Sequence, residues 1–295
     1  MSVFRHIFAS MLCIALAAVL VFACVCGRYR LTDREEYRIY TSCYPVYALS
    51  ALILKDIPGM NLYMLTQPTD EYPNEYSLSD WDEALLATAD AAIFMGGGFE
   101  TYASYYSSDS TIIINLLGGL VLKDNSEFAE VLDFSEDTLN NPWLFMSTEG
   151  AMDITEAITA NMTTIDEAYT AQYIRNMNEA YELLAAMQQQ FDSDVPVALA
   201  HEGFAYLADE LGLNTVLIIK GSTGYDTEVA EALDSSGAEL VLADRQTYRY
   251  YEELGFDTVC LDLMMAHGAG EGADGYFEAM QHNIELIKAA LEKYE

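Results

Sequence analysis

The run IDEAYTAQYIRNMNEAYELLAAMQQQF, Ile165–Phe191, contains neither glycine nor proline. Tyr169, Tyr173, Met177, Tyr181, Leu184, Met187 and Phe191 recur at steps of three or four, which lines one face of an α-helix. At 1.5 Å per residue the run predicts one helix about 40 Å long. A single small domain needs less, so the expectation is a spine packed against two units, one before it and one after. A coiled-coil dimer is the competing reading, but the stripe stops after a few turns. A monomer is expected.

Both flanks alternate short β-branched runs with helical patterns, the signature of βα units and parallel sheets. Before the spine, strands are expected at Arg38–Cys43, Asn61–Leu65, Ala91–Met95 and Thr111–Asn115. Helices are expected at Pro45–Leu54, with proline suited to a first turn, and at Ser79–Ala87, which opens close to a capping box. After the spine, strands are expected at Pro196–Ala200, Thr215–Ile219, Leu240–Ala243 and Thr258–Leu261. Helices are expected at Glu202–Leu211, Thr227–Asp234, Thr247–Leu254 and Asp274–Lys293. The fold class is therefore α/β: two lobes, each a parallel β-sheet flanked by helices, joined by one long backbone helix. Expected boundaries are 38–150 for the first lobe, 151–193 for the helical segment and 194–295 for the second lobe.

Composition narrows the function. Basic residues number 13 against 47 acidic ones, a net charge of −34, so the basic face that nucleic acid requires is missing. Electrostatic attachment to anionic lipid is disfavoured for the same reason. So acidic a field draws cations, although solubility explains most of the carboxylates. Cys13, Cys24, Cys26, Cys43 and Cys260 fit neither a disulfide scaffold nor a zinc ribbon; two buried thiols at Cys43 and Cys260 are the simpler expectation beside a bridge.

Residues 1–23 read as a signal peptide, with Arg5 before an apolar run from Ile7 to Ala23. The ending Val21-Phe22-Ala23-Cys24 resembles a bacterial lipobox, in which Cys24 is the lipidated N-terminus and residues 24–37 form a tether. An uncleaved membrane span is the alternative, with barely enough apolar length. Either way the body is expected outside the cytoplasm, lipid-anchored at the cell membrane.

Further stretches carry a resemblance. Ser42-Cys43-Tyr44-Pro45, Ser79-Asp80-Trp81, Phe94 to Glu100, Ala200-His201-Glu202-Gly203-Phe204-Ala205-Tyr206-Leu207 and Leu261-Asp262-Leu263 follow in order. Together they resemble the solute-binding lipoproteins of zinc/manganese ABC importers, over nearly the whole mature chain. The resemblance implies capture of a zinc or manganese ion between the lobes, with a permease and its ATPase as partners and no catalysis. It also implies four ligands. His201 matches the third and Asp262 the fourth. Tyr72, in Asp70-Glu71-Tyr72-Pro73, stands at the first histidine. Asn141, two residues before Trp143, stands at the second, and Phe145 replaces a carboxylate.

Two of four ligands are thus retained. Tyr72 and Asn141 could offer oxygen, with Asp70, Glu71 and Glu75 nearby, a set that suits manganese or iron better than zinc. The alternatives are a cleft for a metal chelate or organic solute, or a surface lipoprotein without metal binding. Independently of the resemblance, His201 and Asp262 each follow an expected strand, where open α/β sheets collect ligands. Tyr44 and the Gly96–Gly98 turn stand at strand ends in the first lobe. His267 and Glu271 lie in a glycine-rich loop, and Glu202 is expected to face solvent. No Ser/His/Asp triad or HExxH motif can be assembled.

Overall fold

The computed structural model describes residues 36–66, 76–135, 140–221, 227–265 and 272–294. The signal segment, Cys24, Tyr72 with its acidic neighbours, and His267 with Glu271 lie outside them.

Two parallel sheets form. The first contains β1 (Tyr37–Thr41), β2 (Met60–Met64), β3 (Ala91–Phe94) and β4 (Ile112–Asn115), in the order β2-β1-β3-β4. The second contains β5 (Glu130–Asp133), β6 (Pro196–Leu199), β7 (Asn214–Lys220), β8 (Leu240–Asp244) and β9 (Asp257–Leu261), in the order β5-β7-β6-β8-β9. All the expected strands are present within two residues of their expected ends. β5 was not expected. It falls before residue 150, yet it pairs with β7, so the second sheet borrows a strand from the first stretch of chain. Its sequence, Glu-Val-Leu-Asp, is short and flanked by acids, which leaves little alternation to read.

The helices are α1 (Tyr44–Ile53), α2 (Asp80–Leu86), α3 (Thr148–Ile165), α4 (Thr170–Ala185), α5 (Ala205–Glu210), α6 (Thr227–Ser236), α7 (Tyr248–Glu253) and α8 (Asp274–Leu291). Ser79 and Asp82 close a full capping box on α2. Pro45 sits in the first turn of α1.

The connecting helix differs from expectation in position. The helix expected over 165–191 is present but shorter, Thr170–Ala185, and a second helix, Thr148–Ile165, precedes it, largely inside the expected helical segment 151–193, and packs back against it. α3 ends at Ile165, Asp166 leaves helical geometry (φ −135°, ψ 77°), and α4 starts at Thr170. No glycine or proline marks the break. The Asp166 carboxylate instead accepts the Tyr173 hydroxyl at 2.8 Å, and Tyr181 reaches back to Glu156 on α3. Of the expected stripe Tyr173 and Leu184 are buried, together with Asn176 and Ala180, while Met177, Tyr181, Met187 and Phe191 are half-buried and Tyr169 is exposed. The long connector is α3, about 27 Å at 1.5 Å per residue. Its buried face is Ala151, Ile154, Thr155, Ile158, Met162 and Ile165.

The pleat explains how the layers assemble, because alternate residues of a strand face opposite sides. Ile39, Ile93, Val197, Leu199, Leu240 and Leu242 point into one apolar core that runs through both sheets and takes in α3. On the far side of the second sheet Ala198, Val241 and Ala243 pack with Val229, Leu233 and Tyr251. On the far side of the first, Ala92 and Phe94 pack with Leu86 and Tyr102. The lobes therefore share a core.

Candidate functional site

The site begins at the carboxyl ends of the second sheet's strands. In the β6–β8 ladder Leu199 pairs with Leu242, so two residues further on His201 stands level with Asp244. In the β8–β9 ladder Asp244 pairs with Leu261, which places Asp262 one residue beyond. Parallel strands lie about 4.8 Å apart, so the backbones of His201 and Asp262 are on the order of 10 Å apart, with Asp244 between them. The two expected residues share one sheet edge, and Asp244 joins them. Asp244 was legible by the same logic as Asp262, an acid closing an apolar strand.

His201 caps a short turn. Its Nδ1 accepts the Gly203 N–H at 2.9 Å. Its ring meets Trp143 edge-on, with centroids 4.8 Å apart. A Cβ on Gly203 would come within 2.8 Å of His201 Nδ1 and 3.0 Å of the Trp143 ring, so glycine is what lets the two rings close over the turn. Burial pulls the imidazole down from 6.5 to about 4, against the opposing pull of the Asp244 charge. At neutral pH the ring is uncharged. With Nδ1 accepting, its proton sits on Nε2.

Asp262 is held differently. Its Oδ1 accepts the N–H of Met264 at 2.6 Å, and Met264 adopts a left-handed φ of 56° to bring that about. Asn283 of α8 accepts the Asp262 N–H at 2.8 Å and donates to the Asp262 carbonyl at 2.7 Å.

Asn141 requires a correction. Expected as an amide-oxygen ligand, it is buried, and its polar atoms are spent on structure. Its Nδ2 donates to Asn125 Oδ1 at 2.7 Å and to the Glu202 carbonyl at 2.8 Å, and its Oδ1 accepts the Trp143 N–H at 2.9 Å. It braces the turn that carries His201. Glu202 is corrected as well: its carboxylate accepts from Asn125 at 2.9 Å and lies 3.9 Å from the buried Lys220 ammonium, which is 3.8 Å from Asp133.

The first sheet's carboxyl edge meets this region through aromatic rings. Phe99 follows the Gly96–Gly98 turn, whose residues have φ of 74°, 63° and 90°. It packs edge-on against Trp143 at 5.1 Å and Phe145 at 5.4 Å. The turn is braced from inside: Glu100, almost fully buried, accepts the N–H groups of Met95 and Gly96 at 2.9 and 2.8 Å. Burial pushes its carboxyl above the usual range. Tyr44 donates its hydroxyl to the Gly272 carbonyl across the two halves at 3.2 Å, and Tyr276 donates to that of Phe145. His282 is exposed on α8 and takes no part. Among the described residues no three His, Cys, Asp or Glu side chains converge as a metal cluster.

The model of one protein family, described as zinc-uptake complex component A, periplasmic (ZnuA), matches residues 39–290. The chain belongs to the ZnuA family. Its fold is that of solved solute-binding proteins: FpvC of Pseudomonas aeruginosa in complex with Ni2+ is 19% identical, with 88% of this chain and 98% of that one covered and a TM-score of 0.72. A Zn(II)-bound AdcAII variant of Streptococcus pneumoniae is 17% identical, covering 87% and 99%, with a TM-score of 0.72. The laminin-binding protein Lbp of Streptococcus pyogenes is 16% identical, covering 86% and 99%, with a TM-score of 0.68. In sequence, no curated protein matches. As a ZnuA-family chain it is the extracytoplasmic solute-binding component of a divalent-metal ABC importer, working with a permease and an ATPase. No helix among the described residues is long and apolar enough to cross a membrane.

Proposed function

We propose that the chain catches its divalent ion at the carboxyl edge of the second sheet, through Asp262 and His201, and catalyses no reaction. The first lobe completes the shell with oxygen, from Tyr72 and the acids Asp70, Glu71 and Glu75. Cys24 carries the lipid that keeps the receptor beside its permease, and the receptor acts as a monomer. The observation that supports this reading is the shared strand edge of His201, Asp244 and Asp262, with the imidazole neutral as metal ligation demands. An oxygen-rich, histidine-poor set favours manganese or iron over zinc.

One observation favours a second reading. Nε2 of His201 carries the ring proton, because Nδ1 is occupied by Gly203. A bare ion needs a lone pair, so the ring must turn and give up its cap. An ion already wrapped in a chelate makes no demand on that lone pair. Calorimetric titration with Mn2+, Zn2+ and Mn2+ preloaded on citrate separates the two. Tighter binding of free Mn2+ supports direct ligation, and binding of the citrate complex alone supports the chelate. Binding of neither sinks both.

A further inference from the structure

We propose that Asn283 is the positioning residue of the metal-site carboxylate, acting through the Asp262 backbone; this rests on the reading of Asp262 as a ligand. β9 is the edge strand of its sheet, so among the described residues no further strand lies beyond it to hold the peptide groups that follow. Asn283 supplies what a neighbouring strand would: its Oδ1 takes the Asp262 N–H and its Nδ2 gives to the Asp262 carbonyl. The side chain is fully buried, in line with Met280, Ile284 and Ile287 on the inner face of α8. A polar amide on an apolar helix face requires partners, and both of these belong to one residue.

The consequence for the carboxylate is geometric. With both peptide groups fixed and Oδ1 held by the Met264 N–H, Asp262 has Oδ2 left to present. The start of α8 is meanwhile tied to the first half of the chain, through Tyr276 to the Phe145 carbonyl and through Gly272 to Tyr44. Phe145 lies beside Trp143, the ring that touches His201. One helix thus fixes Asp262 and ties it to the segment that contacts His201. Outer partners that orient metal ligands typically alter affinity by about 10- to 100-fold.

The test is a double-mutant cycle on the full chain, with Mn2+ binding followed by calorimetry up to millimolar metal, well below the melting temperature. Asn283→Ala removes both bonds. Asn283→Asp keeps the acceptor and loses the donor, and serves if the alanine variant fails to fold. Gln281→Ala, whose amide bonds Glu285 on the same helix, is the control and leaves affinity unchanged. We expect the Asn283 variants to weaken Mn2+ binding about 10- to 100-fold in the native background and less than about 2-fold in an Asp262→Asn background. An equal loss in both backgrounds overturns the proposal, since Asn283 would then act on the fold at large. No loss in either overturns it too. Wild-type affinity in Asp262→Asn alone removes the ligand reading on which it rests, an outcome distinct from the other two.

Discussion

The Asn141 amide donates to the Glu202 carbonyl at 2.8 Å while its oxygen takes the Trp143 N–H, so one side chain pins the turn of His201 to the ring that packs on it. Where the resemblance led to the expectation of a ligand, the side chain is a brace.

Asn141→Ala leaves the Trp143 N–H, the Glu202 carbonyl and Asn125 Oδ1 short of a partner. Each buried polar group left unpaired costs about 1–3 kcal/mol. The expected loss is about 2–4 kcal/mol in unfolding free energy by urea denaturation. Asn141→Asp, of the same shape, is expected to lose at least as much, because it sets a carboxylate against two acceptors. A loss within about 0.5 kcal/mol, typical of a surface position, would deny the brace.

Gly203→Ala tests the closure of His201 on Trp143. The added methyl lies 2.8 Å from one ring and 3.0 Å from the other, so they must part. Overpacking of this kind costs about 1–3 kcal/mol. Trp143 is buried and Trp81 is 70% exposed, so a shift in the buried component of tryptophan emission reports the change. An unaltered spectrum and melting temperature would contradict it.

How far the sequence speaks differs from element to element. The strand runs were plain because each carries apolar residues to both faces and ends at a turn. α3 falls mostly within the expected helical segment 151–193, but the run from Ile165 to Phe191, free of glycine and proline, carries no mark of the turn that separates it from α4. The reversal at Asp166 rests on a hydrogen bond from Tyr173, seven residues away, which no local pattern announces. Within the site, His201 and Asp262 were legible as strand-ending residues. Asn141 misled because its position matched a ligand, whereas its partners Asn125 and Glu202 are distant in sequence. Asn283 left a faint sign, one amide in the line of Met280, Ile284 and Ile287.

Glu100 is expected to matter for the fold of the first edge. Its carboxylate serves two backbone N–H groups inside the protein, and Glu100→Gln turns one acceptor into a donor facing another donor. The expected cost is about 2–3 kcal/mol, with Glu100→Ala at least as severe. Thermal denaturation of the two variants at neutral pH checks this. Melting unchanged from wild type would place the carboxylate elsewhere.

His201 gives the protein a defined acid sensitivity. Its folded value, about 4, lies below the unfolded 6.5, so the unfolded chain takes up a proton that the native state refuses. The contribution is complete above pH 6.5 and declines as pH falls toward 4. His201→Asn keeps an acceptor for the Gly203 N–H and removes the titration. The gap in stability between wild type and variant is expected to move in the variant's favour between pH 7 and pH 5. A constant gap over that range would contradict the buried neutral ring.

The most direct test of the whole account is the Mn2+ affinity of three proteins at pH 7: wild type, Asp262→Ala, and the double variant His201→Ala with Asp262→Ala. Loss of a ligand that contributes a charge-assisted bond is expected to weaken binding at least about 10-fold for the single change, equal to 1.4 kcal/mol. Tight binding should vanish for the double change. Affinity that stays at the wild-type value in the double variant would put the ion somewhere other than the edge shared by β6, β8 and β9.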